Sequence, residues 1–549
     1  MTSPNGLLIL IDAFRYDLVA DATFRRALMP NLDRLVASGS LEKITALASN
    51  TQFVMPAFLS VTAPFDYGGY NDGCKRRPAC FAETIRAAGY ETALVSNCVL
   101  YNRDLGFDRG FDHAIVPINT RRALMQDIEY RLLEPVRRWH RRETSDADII
   151  DLLCREYGQV LKNIIRADDQ DRATDAFPRA RRINRHLARD AQRELAILER
   201  DPLSIAGKLA TVPEAYYYAV LGEQKPGGRL QSVRIINKAY TLIGRFVGRL
   251  GFMKHLRFGH YDTLEPMFEE LMPGIAKLTR RRDRPWFMML HIMDVHTYSI
   301  CVDQIFRAPR KFLRRLARLP RMRRLCREFG HESHILYVLG LSVVDDLVGE
   351  ILREIEKDGM ENDTVVVVTS DHGTTFECRD GRASPDLPRR FFRSDIETPL
   401  IVSGAGAEIE HSAGLRDSRD VGATLLDCLG LTIPDRFDGR SALSVESRDF
   451  VISENAGRNY CDLERDNLNF AITGRRSKLF AVLHGSKLEV TDYYDLETDP
   501  GEKQNLVDCP EARRGIETLV DHLWCERAEI FGARGCMRPE PSLPHVANG

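Results

Sequence analysis

Three side chains in this sequence have the types and placing of a metal site. Asp12 follows the apolar run at 7–11, and Asp371 with His372 follows the run at 365–369. A carboxylate beside an imidazole joins hard and borderline donors, a set that suits Mn²⁺ or Zn²⁺ better than Ca²⁺. A cation there needs something to activate. The segment 48–62 reads as a polar turn entering an apolar helix, and Thr51 stands at the entrance, with Ser49 as a second choice. A hydroxyl at a helix N-terminus meets the positive end of the helix dipole. Contact with a cation lowers its pKa further and makes it a nucleophile. The plain alternatives are that Asp12 and Thr51 cap helices. His296, just after the apolar run 286–293, is placed to protonate a leaving oxygen, or is a satisfied loop histidine. His331 and His334, near Glu332, form a weaker i, i+3 pair.

These residues need elements to bring them together. Residues 7–11 are apolar without alternation, and 365–368 are four β-branched residues in a row. Both read as central strands buried on two faces of a parallel sheet. Ligands in open α/β sheets gather at the C-terminal strand ends. Asp12 and Asp371, far apart in sequence, are thus expected on the same sheet edge. Helix signals lie at 31–36, 334–357 and 421–429, and further strands at 92–96, 286–293 and 399–402.

The chain has 549 residues, 44% hydrophobic content and a net charge of −2. That size exceeds one simple core. The fold class expected is α/β, a central mostly parallel sheet sandwiched by helices. An α/β core is expected over 1–118 and 284–444, a helical insertion or cap over 119–283, and a smaller α+β subdomain over 445–549. The start, MTSPNG before a five-residue apolar run, does not read as a signal peptide. No apolar run reaches membrane-spanning length. Twelve cysteines are scattered without a CxxC pair. Reduced thiols and a cytoplasmic setting are the expectation. Residues 307–327, opening at Arg307 and closing at Arg327, hold ten Arg/Lys and no acid. They form either a solvated helix face or a contact for an anionic surface or substrate. No nucleic-acid motif accompanies them, and an oligomer is compatible with the sequence.

Several ordered segments resemble the sulfatase branch of the alkaline phosphatase superfamily. Residues 9–17 (ILIDAFRYD) are similar to its first metal strand. Residues 89–95, 106–112 and 294–298 (DVHTY) look like its later segments, as do 345–349 and 362–373. The tail at 494–506 (YDLETDPGEKQNL) is the most specific match. The resemblance implies the alkaline-phosphatase-like fold and ester chemistry, in which Asn97 replaces the family's lysine and can donate to a non-bridging oxygen. Arg379, Arg382, Arg389 and Arg390 are candidates for binding substrate anions.

The departures bear on the chemistry. The sulfatase C-x-P-S-R, whose cysteine becomes formylglycine, is replaced by Val54-Met55-Pro56-Ala57-Phe58, and the usual second aspartate is Ala13. The D-N-G of sulfatases is Asp371-His372-Gly373. These changes speak against a Ca²⁺-dependent formylglycine enzyme. Thr51 and Pro56 instead share the T-x-x-x-x-P spacing of phosphoethanolamine transferases, which also use Asp-His. The expectation is a hydrolase of phosphate esters (diester, monoester or phosphonate) that works through a phosphothreonine. Its divalent metal ion is held by Asp12, Asp371, His372 and Thr51, with His296 and Asn97 as the other catalytic residues. The alternatives are a phosphotransferase acting on a glycan or lipid head group, a sulfuric ester hydrolase, and a non-catalytic member of the family.

Overall fold

The computed structural model describes residues 3–96, 98, 101, 105–115, 128–173, 178–248, 256–257, 283–296, 300–301, 309–330, 335–375, 391–404, 414–456 and 461–536. Asn97, His331, His334, Arg379, Arg382, Arg389 and Arg390 lie outside them. Among the described residues, seven strands form the central sheet: β1 (Asn5–Ile11), β2 (Gly39–Thr45), β3 (Glu91–Ser96), β4 (His113–Ile115), β5 (Trp286–Ile292), β6 (Thr364–Thr369) and β7 (Glu397–Ser403). Their order across the sheet is β2-β7-β6-β1-β5-β3-β4. Only β7 runs against its neighbours, in register with β2 on one side and β6 on the other. This is the mostly parallel α/β sheet expected of the sequence.

The unbroken apolar runs have a simple cause. β1, β5 and β6 are wholly buried, because helices cover both faces of the sheet and neither face can be polar. Alternation within a strand divides its side chains between two cores. Leu8 and Leu10 join one cluster with Val365 and Val367, and the helix α1 (Thr51–Ser60) packs there. Leu7, Ile9 and Ile11 face the other cluster with Val366 and Val368. That side is covered by α6 (Pro309–Glu328) and α7 (Ile335–Lys357). The basic segment is therefore half structural. Phe312, Leu319, Met322 and Leu325 of α6 are buried, Arg318 pairs with Asp346 at 2.5 Å, and Arg310, Arg314, Arg321 and Arg324 stay on the outside.

Between β4 and β5, residues 128–248 form a helical layer with its own apolar cluster. It includes α2 (Gly158–Ala173), α3 (Pro178–Arg200), α4 (Pro202–Thr211) and α5 (Gly228–Gly248). The C-terminal region is an antiparallel sheet, β8 (Phe450–Asn455), β9 (Leu468–Gly474), β10 (Ser477–His484) and β11 (Lys487–Asp495), backed by α9 (Arg513–Glu526). Its Ile452, Phe470, Leu479 and Leu523 belong to the same cluster as Leu8 and α1. The tail is thus welded to the site-bearing face of the main sheet. Helix α8 (Ser418–Cys428) lies on that face too. Among the described residues, no helix is long and apolar enough to cross a membrane.

Candidate metal centre and nucleophile

Strand register sets the site. β1 and β6 are adjacent and parallel, with Leu10 opposite Thr369. Two residues further along each chain stand Asp12 and Asp371. Parity does the rest: residues 8, 10 and 12 of one strand and 365, 367, 369 and 371 of the other alternate onto the α1 face. Asp12, Asp371 and His372 each offer a ligand atom, and all three atoms lie within 4.8 Å of one another. All three residues are buried.

The hydroxyl arrives from the opposite wall. Asn50, not Thr51, caps α1, its side chain accepting from Gln52 N at 3.1 Å. Thr51 is thus the first helical residue, and its side chain is free of the capping task. Its Oγ1 stands 3.0 Å from Asp12 Oδ2 and 3.2 Å from His372 Nε2. Ser49 points elsewhere, accepting from Asn455 Nδ2 at 3.4 Å. The His372 tautomer follows from its surroundings: Nδ1 lies 2.6 Å from Gly373 O and can only donate there. Its Nε2 then presents a lone pair to the site.

The loop after Asp371 is equally fixed. Asp371 Oδ1 accepts from His372 N at 2.8 Å and from Ala13 N at 3.3 Å. A Cβ on Gly373 would stand 2.2 Å from Ser394 O, so only glycine lets the chain pass. Ala13 takes a left-handed φ of 60°, and Tyr337 OH holds its carbonyl at 2.7 Å.

Electrostatics completes the description. Burial pushes the Asp12 carboxyl up, yet His296, His291 and His372 outweigh it and hold the group below the ordinary carboxylate range. Burial pulls His372 down, and the charges of Asp371 and Asp12 more than reverse it. Even so, among the described residues Asp12 Oδ1 and Asp371 Oδ2 are buried with no hydrogen-bond partner. Buried carboxylate oxygens left this way are costly. Two carboxylates, an imidazole lone pair and a hydroxyl on one small volume fit a divalent cation, on the chemistry of the donors alone.

His296 is exposed beside this cluster, its ring centroid 6.3 Å from that of His372. Sequence reasoning missed His291. It is fully buried on β5, with Nε2 3.4 Å from Asp12 Oδ2, and its ring lies edge-on to Tyr101 at 5.3 Å. The available signal was a lone histidine inside an apolar strand, at the parity of Phe287 and Met289, which face α1. It also missed Ser370, whose Oγ lies 2.6 Å from Ile11 O and accepts from Phe14 N at 2.9 Å, tying the two strand ends together.

Comparison with known proteins bears on what such a site does. The sulfatase family model matches residues 4–163 and 237–431, more than half of the chain. The unmatched stretch between lies within the helical layer. Choline-sulfatase of Rhizobium meliloti is 27% identical over 201 residues, covering 34% of this chain and 36% of that protein. The multifunctional alkaline phosphatase superfamily protein PehA of Trinickia caryophylli is 25% identical over 192 residues, 31% of this chain and 35% of that protein. The chain thus spans about a third of the length of these curated relatives. Among solved structures, the phosphonate monoester hydrolase of Agrobacterium radiobacter superposes with a TM-score of 0.54 at 15% identity, covering 96% of both chains. At that identity the likeness is one of fold.

Proposed function

We infer the function from the family to which the chain belongs, the sulfatase family of the alkaline phosphatase superfamily, a family of metal-dependent ester hydrolases. On that premise we propose that it hydrolyses phosphate esters through a covalent phosphothreonine at Thr51. The observation that carries this reading is the position of Thr51 Oγ1 between Asp12 Oδ2 and His372 Nε2. The cysteine of the family's C-x-P-S-R is absent, and Val54 stands in its place.

Asp12, Asp371, His372 and Thr51 would hold the divalent ion, Mn²⁺ or Zn²⁺ by donor type. When bound, the ion supplies Lewis-acid stabilisation and lowers the pKa of the hydroxyl. The chain's own residues do the remaining work. Thr51 sits on α1, fixed by burial and by the Asn50 cap, so attack needs little reorganisation. Its O–H proton has an acceptor in Asp12 Oδ2, since the one lone pair of His372 is spent on the ion. As the Oγ1–P bond forms, the ester P–O bond breaks, and His296 donates a proton to the leaving oxygen. In the second half His296 takes a proton from water as the water oxygen attacks phosphorus. The Oγ1–P bond then breaks, and Thr51 recovers its proton from Asp12 Oδ2. The exposure of His296 suits this exchange.

The relatives' names favour one further reading, hydrolysis of sulfuric esters. A threonine alkoxide makes this harder, since it lacks the elimination route of a hydrated aldehyde. The deciding experiment is a panel of aryl phosphate monoesters, diesters, phosphonates and sulfates, run with several divalent ions, on native chain and Thr51→Ala. The proposal expects turnover of a phosphorus ester, its loss in Thr51→Ala, and a phosphate adduct on the Thr51 peptide after acid quench. Sulfate turnover alone, or full activity of Thr51→Ala, would overturn it.

A further inference from the structure

Helix α5 is built unlike the rest of the helical layer. Its first turns are anchored: Leu230 is buried in the layer's core, Arg229 pairs with Asp190 at 2.7 Å, and the Arg234 guanidinium lies 5.7 Å from the Tyr216 ring. Beyond that the helix leaves the body. Ile235 is 70% exposed, Ile236 52%, Leu242 57% and Ile243 48%. At about 3.6 residues per turn, these four share one face roughly 120° wide, with Ala239 at its centre. Such a face is normally turned inward in a soluble helix. Here residues 234–239 and 241–243 are exposed on every side, and only the first turns, with Leu230, pack on the layer.

Charge identifies what fits this face. Arg234 and Lys238, both exposed, stand at i and i+4 along one border of the apolar face. The sequence from 224 to 261 holds eight Lys/Arg and no Asp or Glu. An exposed apolar face flanked by cations and free of acids matches the boundary of an anionic lipid leaflet, with side chains in the acyl layer and cations at the headgroups. A second copy of the chain is a poorer occupant. In a two-fold pair the same surface meets itself, and this one offers no carboxylate to the partner's cations. We propose that α5 is an interfacial membrane-docking helix that places the protein on anionic phospholipid surfaces. This does not depend on the reading of the catalytic centre.

Flotation of the full chain with vesicles tests it. Mixed phosphatidylserine/phosphatidylcholine vesicles should carry the protein, pure phosphatidylcholine vesicles far less, and added salt should release it. Ile235→Ser/Ile236→Ser/Leu242→Ser/Ile243→Ser should lower partitioning on the order of a hundredfold. Lys238→Glu, at an exposed position, should lower it at least about fivefold. Both should keep native circular dichroism and the native turnover of whichever ester the enzyme accepts. The proposal falls if no vesicle binds, or if neutral and anionic vesicles bind equally. It also falls if the protein is an oligomer in solution that the serine variant dissociates while vesicles fail to bind.

Discussion

Asp371→Asn should make the metal-free protein more stable while ending its response to divalent ions. Asp12 and Asp371 place carboxylate oxygens within 4.8 Å of each other in a fully buried site. Two unit charges at that separation repel by about 3.5 kcal/mol at an effective dielectric of 20. The nearby imidazoles offset part of this, so neutralising one acid should return about 1–3 kcal/mol. The geometry favours the swap. An asparagine carbonyl at the Oδ1 position keeps the bonds from His372 N and Ala13 N. Its neutral amide at the Oδ2 position removes a buried carboxylate oxygen that has no hydrogen-bond partner among the described residues. Urea unfolding in EDTA measures the gain. With Mn²⁺ or Zn²⁺ at about a hundred times its dissociation constant, the native chain should gain about 2.7 kcal/mol and the variant little. An Asp371→Asn variant that is less stable in EDTA, beside a native chain indifferent to every ion, would refute the reasoning. The pair would then be an ordinary buried network broken by mutation.

Other outcomes follow from single features. Thr51→Ser should retain turnover, whereas Thr51→Ala should lose at least about 10³-fold in kcat/KM, read on the substrate found in the ester panel. Gly373→Ala forces a Cβ against Ser394 O and should cost more than about 1 kcal/mol by urea unfolding, along with the ion response. Arg448 spans Asp420 at 2.6 Å and Asp417 at 3.3 Å, all buried. Arg448→Met should therefore cost about 3–5 kcal/mol by the same assay. Asp345 is pushed up to about 6 by burial, against bonds from Leu32 and Asn31 and with some help from Asp346. Its folded form holds a proton that the unfolded chain has released above about pH 4. That contribution is full below pH 4 and is lost as pH rises through 6, an effect on the order of 3 kcal/mol. Stability measured across pH 4–7 should show the decline, and Asp345→Asn should flatten it.

The parts of the fold legible in sequence were those where burial is total. Residues 7–11 and 365–368 betray central strands because no position in them can be polar. Asp12 then stands out as the first polar residue past one end, and Asp371 as the first charged residue past the other. Strand β2 went unread, since its residues 39–43 are half-buried or exposed at the sheet edge and carry no clear pattern. The reversed direction of β7 is likewise invisible in a run such as PLIVS, which reads alike either way. The place of Thr51 beside Asp12 depended on helix phase and on Asn50 taking the cap, neither of which spacing alone reveals. His291 was hidden because a histidine within WFMMLHI reads as a core residue until β5 is known to lie next to β1. The exposed face of α5 is the converse: its residues look like core, and only packing shows that nothing in the described chain covers them.

The claim on which the rest depends is that Asp12, Asp371 and His372 grip one cation beside the Thr51 hydroxyl. Anomalous diffraction from crystals soaked in Zn²⁺ or Mn²⁺ tests it most directly. A single strong peak in contact with those three side chains and Thr51 Oγ1 is the result expected. A peak elsewhere, or none at saturating ion, would contradict the account.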